Sequence, residues 1–354
     1  MSKNSLKAQL KKRLELILPS ISQYEKMPMV NNVPFAMNAG AFNYRSENIN
    51  TDSDGFRFTK YKDGYILPND IEKFEEVNII IGNSTLFGVG VSNDDNTIAS
   101  KLSKISKEPW LNISIRGAVS LTEYIHAIRY IYKAKKVKNI IIFSGIVDIY
   151  LNLLVDKPTK FEKRIEPERW IYSCPKRIIS RFFAKRYKLR QLDIIDKSFM
   201  ELLFYPFNKK NFVKKETLTL NQQIDDCIEN IKKIFFLYSA LEKQLDTNVI
   251  YMLQPFYYWT NKKKSKMEIE IFKLLEEIDK GTFWDRTRKE LDENIYKEII
   301  KKLKKEAKNF DIKFVDTNSL YNTEETIFSD SVHFTDTGSE FTAKLILNTI
   351  NQGS

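Results

Sequence analysis

Five short runs of apolar, largely β-branched residues most constrain the fold of this 354-residue chain, because most of them are followed by a helical pattern. Such runs are typical of parallel strands that are buried on both faces of a sheet. Residues 119–136 and 219–243 place apolar side chains at spacings of three and four, as amphipathic helices do. The alternation predicts an α/β fold with a doubly wound, mainly parallel sheet between two helical layers. The runs are residues 77–81, 111–115, 140–143, 249–253 and 312–315.

The segments around these runs divide the chain into a core and its additions. We expect an N-terminal extension (1–70), a first part of the core (71–150), a basic helical insertion (151–218) and a second part of the core (219–354). Within the last part, the charged residues 256–308 are expected to form a helical cap segment. A chain of 354 residues is long enough for one large domain that carries such insertions.

The composition excludes several classes of protein. With 42% hydrophobic and 29% charged residues, and with 11 Gly and 10 Pro, the chain is typical of an ordered globular protein. Cys174 and Cys227 lie in different segments without a nearby histidine pair, so no metal site is predicted. We expect reduced thiols, with a disulfide as the alternative. No run of about 18 apolar residues is present, and we expect a cytoplasmic protein.

Two segments far apart in the chain carry groups that can perform chemistry. In VNIIIGNSTLFGVG, residues 77–90, a predicted strand leads into Ser84. A serine at the carboxyl end of a parallel strand lies where such sheets bind ligands, which suits a nucleophile. A turn that caps a helix is the alternative interpretation of this segment.

The second segment is FSDSVHFTDTGSEFTAKLI, residues 328–346, in which His333 follows Asp330 by three positions. The only other histidine, His126, falls within a predicted helix and is interpreted as a packed or surface residue. Serine needs a base that takes its proton, and a carboxylate can orient that base. His333 is therefore the predicted base and Asp330 its partner, although a loop carboxylate that binds backbone amides is the alternative for Asp330.

Taken together and in this order, the two segments resemble the SGNH (GDSL-like) hydrolase family over roughly residues 75–150 and 245–350. The resemblance implies a flavodoxin-like three-layer sandwich without a cofactor. It also implies a catalytic triad of Ser84, Asp330 and His333.

The resemblance further implies how the oxyanion is bound. Gly117 in NISIRGAVS and Gly145 in SGIVDIY match glycines of the family's middle blocks. The backbone amides of Ser84 and Gly117 are the implied oxyanion donors, with Asn83 and Gly145 as further oxyanion or substrate-binding residues. Val147 departs from the pattern, because the family has an asparagine there that donates to the oxyanion. Losing one such donor costs roughly 10²–10³ in turnover.

A looser resemblance concerns the substrate. The turn NTDSDGFR and the segment GNSTLFGVG resemble SGNH proteins that are associated with surface-polysaccharide and glycan assembly. This implies a serine esterase that removes acyl groups, often acetyl, from a carbohydrate or glycan precursor through a covalent acyl-enzyme. An O-acyltransferase with the same triad and a non-catalytic SGNH scaffold or glycan-binding protein are the alternatives.

The formal net charge of +11 is concentrated in residues 157–190, which hold twelve Lys and Arg against three Glu. In KRIISRFFAKRYKLR, residues 176–190, apolar and basic side chains can occupy opposite faces of a helix. We interpret this as a helix packed on the core by its aromatic face. An anionic membrane surface, at the inner face of the membrane, or a phosphorylated glycan carrier is the alternative partner. Nucleic acid is disfavoured, because no nucleic-acid-binding signature is present.

Overall fold

A computed structural model describes residues 3–18, 20–28, 30–33, 37–154 and 219–352. The basic stretch 157–190, with the membrane or glycan-carrier contacts predicted for it, lies outside the described residues. Chain contacts define one compact unit from residues 1–158 and 224–354, and a second from residues 159–223.

The elements follow one another in an order that alternates strands and helices after the N-terminal extension. In chain order they are α1 (Lys3–Ile17), α2 (Ile21–Lys26), β1 (Val30–Val33), β2 (Met37–Ala39), β3 (Thr59–Tyr61), β4 (Gly64–Ile66), β5 (Val77–Gly82), α3 (Ser84–Phe87), α4 (Ile98–Ser106), β6 (Trp110–Ser114), α5 (Ser120–Ile131), β7 (Val137–Ser144), α6 (Ile146–Leu154), α7 (Leu220–Leu245), β8 (Asn248–Leu253), α8 (Lys266–Asp279), α9 (Phe283–Glu290), α10 (Glu293–Asn309), β9 (Lys313–Asp316) and α11 (Asp336–Asn351).

The core is a five-stranded parallel sheet in the order β6–β5–β7–β8–β9. Each of the five predicted runs falls on one of these strands. The order is that of a flavodoxin-like sheet, so the predicted α/β fold class is confirmed. The chain passes from β5 to β6 on one side of it and then crosses back to β7 on the other side, so the order in which strands are added reverses at β5. In such sheets, ligands bind beyond the carboxyl ends of the strands at this reversal.

Helices cover both faces of the sheet, which explains why the strands are apolar throughout. All six residues of β5 are buried. On one face, Ile80 belongs to a buried cluster with Leu102 of α4 and Ile346 of α11. On the other face, Tyr251 of β8 meets Phe235 of α7 edge to face, with ring centroids 5.0 Å apart. The sheet is therefore the middle layer of a three-layer sandwich.

The N-terminal extension contains two short antiparallel hairpins, β1–β2 and β3–β4. Between them, the carboxylate of Asp52 accepts the backbone N–H groups of Asp54 and Phe56 and closes the predicted turn. Gly55 in this turn has φ +87°, and a Cβ on it would overlap the backbone of Gly40. The helices α8 to α10 lie in the predicted cap segment, and α8 contacts α1.

None of the helices in the described part of the chain is both long enough and apolar enough to span a bilayer.

Candidate active site

Ser84 begins the short helix α3, directly beyond the carboxyl end of β5. The preceding Asn83 caps this helix, because its side-chain oxygen accepts the N–H of Thr85 at 3.1 Å. Gly82 admits no side chain, since a Cβ there would lie 2.5 Å from the backbone oxygen of Phe143 in β7. The Gly-Asn-Ser sequence thus makes a tight strand-to-helix turn that places Ser84 at the ligand-binding edge of the sheet.

Ser84, His333 and Asp330 form a continuous hydrogen-bonded chain. His333 Nε2 lies 2.8 Å from Ser84 Oγ, and His333 Nδ1 lies 2.6 Å from Asp330 Oδ2. With its proton on Nδ1, the imidazole donates to Asp330 and can accept the hydroxyl proton of Ser84 at Nε2. The structure therefore brings together the three predicted triad residues, although about 250 positions separate Ser84 from the other two.

Asp330 is held as a carboxylate by its surroundings. Burial by itself would raise the pKa of Asp330, but the charge and hydrogen bond of His333 act in the opposite direction. The second carboxylate oxygen accepts the backbone N–H groups of Val332 and His333 at 2.9 and 2.8 Å. Together these contacts hold the pKa of Asp330 below its usual range. The group is therefore negative when an imidazolium forms beside it.

A buried polar network joins the turn of Ser84 to the loop of His333, and Gln254 lies at its centre. Gln254 directly follows β8, accepts the side-chain N–H of Asn83 at 2.8 Å and donates to Thr85 Oγ1 at 2.6 Å. Thr85 Oγ1 donates in turn to the backbone oxygen of Val332 at 3.0 Å. The side chain of Asn83 is thus fully buried and bound to Gln254. The sequence predicts Asn83 to be an oxyanion or substrate-binding residue and does not indicate the network.

The remaining predicted oxyanion residues follow the two strands beside β5. Gly117 lies exposed in the loop after β6 with φ +71°. Gly145 joins β7 to α6 with φ +99°, and a Cβ there would lie 2.8 Å from the hydroxyl of Tyr251. Val147 is buried in the first turn of α6, where its side chain offers no hydrogen-bond donor. The backbone amides of Ser84 and Gly117 stay the predicted oxyanion donors.

Arg57 of the N-terminal extension is fully buried behind α3. Its Nε forms an ion pair with Asp94 at 2.7 Å. Its Nη1 donates to the backbone oxygens of Phe87 and Gly88, at 3.3 and 2.8 Å, and to the hydroxyl of Tyr24. These carbonyls end the helix that Ser84 begins, and helix ends leave such groups without a partner inside the helix. Arg57 therefore fixes the nucleophile helix from its far end.

Glu268 of the cap segment has the corresponding position behind His333. Its Oε1 accepts the backbone N–H groups of Ile327 and Phe328, each at 3.0 Å, at the start of the loop that carries Asp330 and His333. Its Oε2 accepts the ammonium of Lys262 at 2.6 Å, and both side chains are fully buried. A buried charge of this kind is tolerated because it is paired and hydrogen-bonded. Neither the Arg57–Asp94 pair nor the Lys262–Glu268 pair is predicted from the sequence.

Metal ligands do not cluster in the part of the chain that the structure describes. No group of three or more His, Cys, Asp or Glu side chains there could hold an ion.

Comparison with known proteins gives similar folds and no close relative. No family model and no curated protein sequence matches the chain.

Solved structures that resemble it include the acetyl xylan esterase AlAXEase, with 10% identity, a TM-score of 0.37, and coverage of 78% of this chain and 99% of that one. A lipolytic G-D-S-L protein of Veillonella parvula has 11% identity, a TM-score of 0.36, and coverage of 77% and 96%. The acetylxylan esterase Axe2 of Geobacillus stearothermophilus has 14% identity, a TM-score of 0.35, and coverage of 77% and 92%.

Proposed function

We propose that this protein is a serine esterase of the SGNH type that forms a covalent acyl-enzyme at Ser84. The observation that carries the proposal is the chain from Ser84 Oγ to His333 Nε2, at 2.8 Å, and from His333 Nδ1 to Asp330, at 2.6 Å. Nucleophile, base and orienting carboxylate are thus within hydrogen-bond reach of one another, as acyl transfer by serine requires. Their location at the carboxyl edge of the parallel sheet supports the same function.

The reaction follows from the geometry. Ser84 Oγ attacks the carbonyl carbon of the ester while His333 Nε2 takes its proton, and Asp330 stabilises the imidazolium. The oxyanion accepts hydrogen bonds from the Ser84 and Gly117 amides. The C–O bond of the ester then breaks, His333 returns the proton to the leaving alkoxide, and the acyl group stays on Ser84. Water, deprotonated by His333, attacks the carbonyl carbon of this acyl-enzyme. The bond from that carbon to Ser84 Oγ then breaks, His333 returns the proton to Ser84, and the acid is released.

Val147 affects the rate of this reaction and not its course. Because valine donates no hydrogen bond, the oxyanion has one donor fewer than with an asparagine at this position. We expect turnover to be lower by roughly 10²–10³ for this reason. The intact triad opposes a purely structural role, since a scaffold has no chemical need for all three groups in hydrogen-bonding geometry.

The substrate that we propose is an acylated, in particular acetylated, carbohydrate or glycan precursor. The support is the resemblance of the NTDSDGFR turn and the GNSTLFGVG segment to glycan-associated SGNH proteins. Residues of that turn also support the active site directly, because Arg57 lies at its end and binds the nucleophile helix. Analysis of the products in water with added sugar acceptors separates hydrolysis from acyl transfer.

Labelling with a fluorophosphonate probe, followed by intact mass measurement, tests the proposal. We expect a single covalent adduct on the wild type and none on Ser84→Ala, because only a serine activated by a base reacts. Ser331→Ala is the matched control, since this serine lies in the loop that carries Asp330 and His333, which we call the acid–base loop, and is not part of the triad. It should label as the wild type does. A wild type that stays unlabelled beside a labelled reference esterase would contradict the proposed function.

A further inference from the structure

A cavity of about 210 Å³ adjoins the triad on the side of His333. The cap segment supplies one part of its wall, and the acid–base loop supplies the other. Its lining includes Tyr258, Phe272, Trp284, Arg288, Asp330 and His333. Pockets for drug-sized ligands have volumes of roughly 300–1,000 Å³, so this cavity suits a smaller ligand such as one sugar ring.

Aromatic rings that are fixed in place form much of the wall. Phe272 stacks on Tyr257 with ring centroids 3.6 Å apart and an interplanar angle of 11°. Tyr258 packs edge to face against Phe272 at 5.8 Å. The ring centroids of Trp284 and Tyr150 lie 5.7 Å apart, and 39% of the surface of Trp284 is exposed. Such rings offer large apolar surfaces with little loss of side-chain entropy on binding, and the C–H face of a pyranose ring packs well on them.

The wall of the cavity contains both positively and negatively charged side chains. Arg288 Nη1 lies 2.7 Å from Asp279 Oδ2, and their side chains are only 12% and 17% exposed. Asp285 lies 3.8 Å from the same guanidinium, and Asp330 also lines the cavity. Donors beside acceptors match hydroxyl groups, which donate and accept. An acyl chain would need no charged wall, and a phosphate would be repelled by the carboxylates around a single arginine.

The position of the cavity relative to His333 decides which part of an ester enters it. His333 returns its proton to the leaving alkoxide, so the leaving group must lie on the side of His333. In a sugar ester the leaving group is the sugar hydroxyl, while the acyl group stays on Ser84. The sugar therefore occupies the side on which this cavity is found.

We propose that this cavity binds a single neutral sugar ring of the acylated substrate. The ring stacks on Trp284 and Tyr258, and its hydroxyl groups bind Arg288 and Asp279. This assignment rests on the proposed function for the orientation of the ester. The binding itself depends only on the cavity and can be measured without catalysis.

The test is the binding of unacylated methyl pyranosides, in the gluco, galacto and xylo series, to the full-length Ser84→Ala protein by saturation-transfer NMR. We expect at least one to bind, and Trp284→Ala in the same background to weaken binding about tenfold through loss of the stacked ring. Tyr132→Ala is the matched control, because Tyr132 is 73% exposed and is not among the cavity residues. It should bind as the parent does.

Arg288→Lys serves as a second variant in case Trp284→Ala does not fold. It keeps the charge beside Asp279 but loses the planar fork, so binding should weaken severalfold. The inference is overturned if no pyranoside binds, or if both folded variants bind as the parent does. Fluorophosphonate labelling of the wild type separates the two proposals. Labelling without sugar binding overturns the cavity assignment alone, whereas sugar binding without labelling overturns the esterase alone.

Discussion

The nucleophile half and the acid–base half of the active site are both held by a buried ion pair, but the charge that binds the backbone has the opposite sign. Behind Ser84, the cation Arg57 donates to carbonyl groups at the end of α3. Behind His333, the anion Glu268 accepts the N–H groups at the start of the acid–base loop. The difference follows from the backbone, because a helix end presents free carbonyls and this loop presents free N–H groups.

The comparison also shows what the segments outside the βα alternation contribute. Arg57 belongs to the N-terminal extension, and Glu268 belongs to the cap segment. Gln254, from the sheet itself, links the two halves across the middle. Extension and cap therefore each supply a buried ion that binds the backbone beside Ser84 or His333. The two cations differ in their number of hydrogen-bond partners, since Arg57 has five partner residues and Lys262 has two.

Arg57→Met should have the largest effect on stability. It leaves Asp94 buried without its cation and removes the side-chain donor of the Phe87 carbonyl group. Breaking a buried pair in this way costs about 3–5 kcal/mol, which urea unfolding measures. Arg129→Met is the control, because Arg129 pairs with Asp54 at 3.2 Å with 46% of its side chain exposed. An exposed pair contributes at most about 1 kcal/mol. Equal losses in the two variants would refute the role of Arg57.

Lys262→Met should have the next largest effect, and the chain offers a control in the neighbouring residue. Lys262 and Glu268 form an ion pair whose side chains are fully buried. Lys263 and Glu324 also form an ion pair, but their side chains are 74% and 73% exposed. We expect a loss of about 3 kcal/mol for Lys262→Met and at most about 1 kcal/mol for Lys263→Met. Slower fluorophosphonate labelling should accompany only the first. Similar unfolding curves for both variants would show that Glu268 needs no buried partner.

The sheet could be predicted from the sequence, and the three candidate triad residues could be selected from it, for physical reasons. Strands buried on both faces must be apolar, so β5 is visible as an unbroken run. Histidine is scarce, so His333 stood out once His126 was assigned to a helix, and His126 is indeed buried edge-on to Phe56.

The supports of the triad could not be predicted in the same way. Arg57 and Asp94 are 37 positions apart and belong to no periodic pattern. Lysine, arginine and glutamate are nearly always solvent-exposed, so a sequence pattern gives no reason to bury Lys262 with Glu268. Gln254 is one polar residue after a strand, and its role depends on the distance to Asn83, which only the folded chain sets.

Glu123 is a buried carboxylate of the opposite kind, since neither of its oxygens has a hydrogen-bond partner among the described residues. Burial therefore raises the pKa of Glu123 well above its ordinary value of 4.5. The negative charge of Asp148 adds to this rise. Arg57 and Glu268 are paired ions that bind the backbone of a helix end and of a loop, whereas Glu123 is stable in the interior only as the neutral acid.

Glu123→Gln should have the smallest effect, visible as a change in pH dependence. Above pH 4.5 the unfolded chain loses the Glu123 proton while the folded chain keeps it, so stability falls as pH rises toward the raised pKa. Glutamine has no such proton, so the variant should be more stable than the wild type by about 1–2 kcal/mol at about pH 8 and lose this slope. Urea unfolding across the pH range measures both.

Glu340→Gln is the control of opposite sign. Its hydrogen bond with Lys344 lowers the pKa of Glu340, so the pair stabilises the protein above the ordinary pKa of a glutamate and loses this contribution as the pH falls. If Glu123→Gln kept the wild-type slope, Glu123 would have to be ionised in the folded protein.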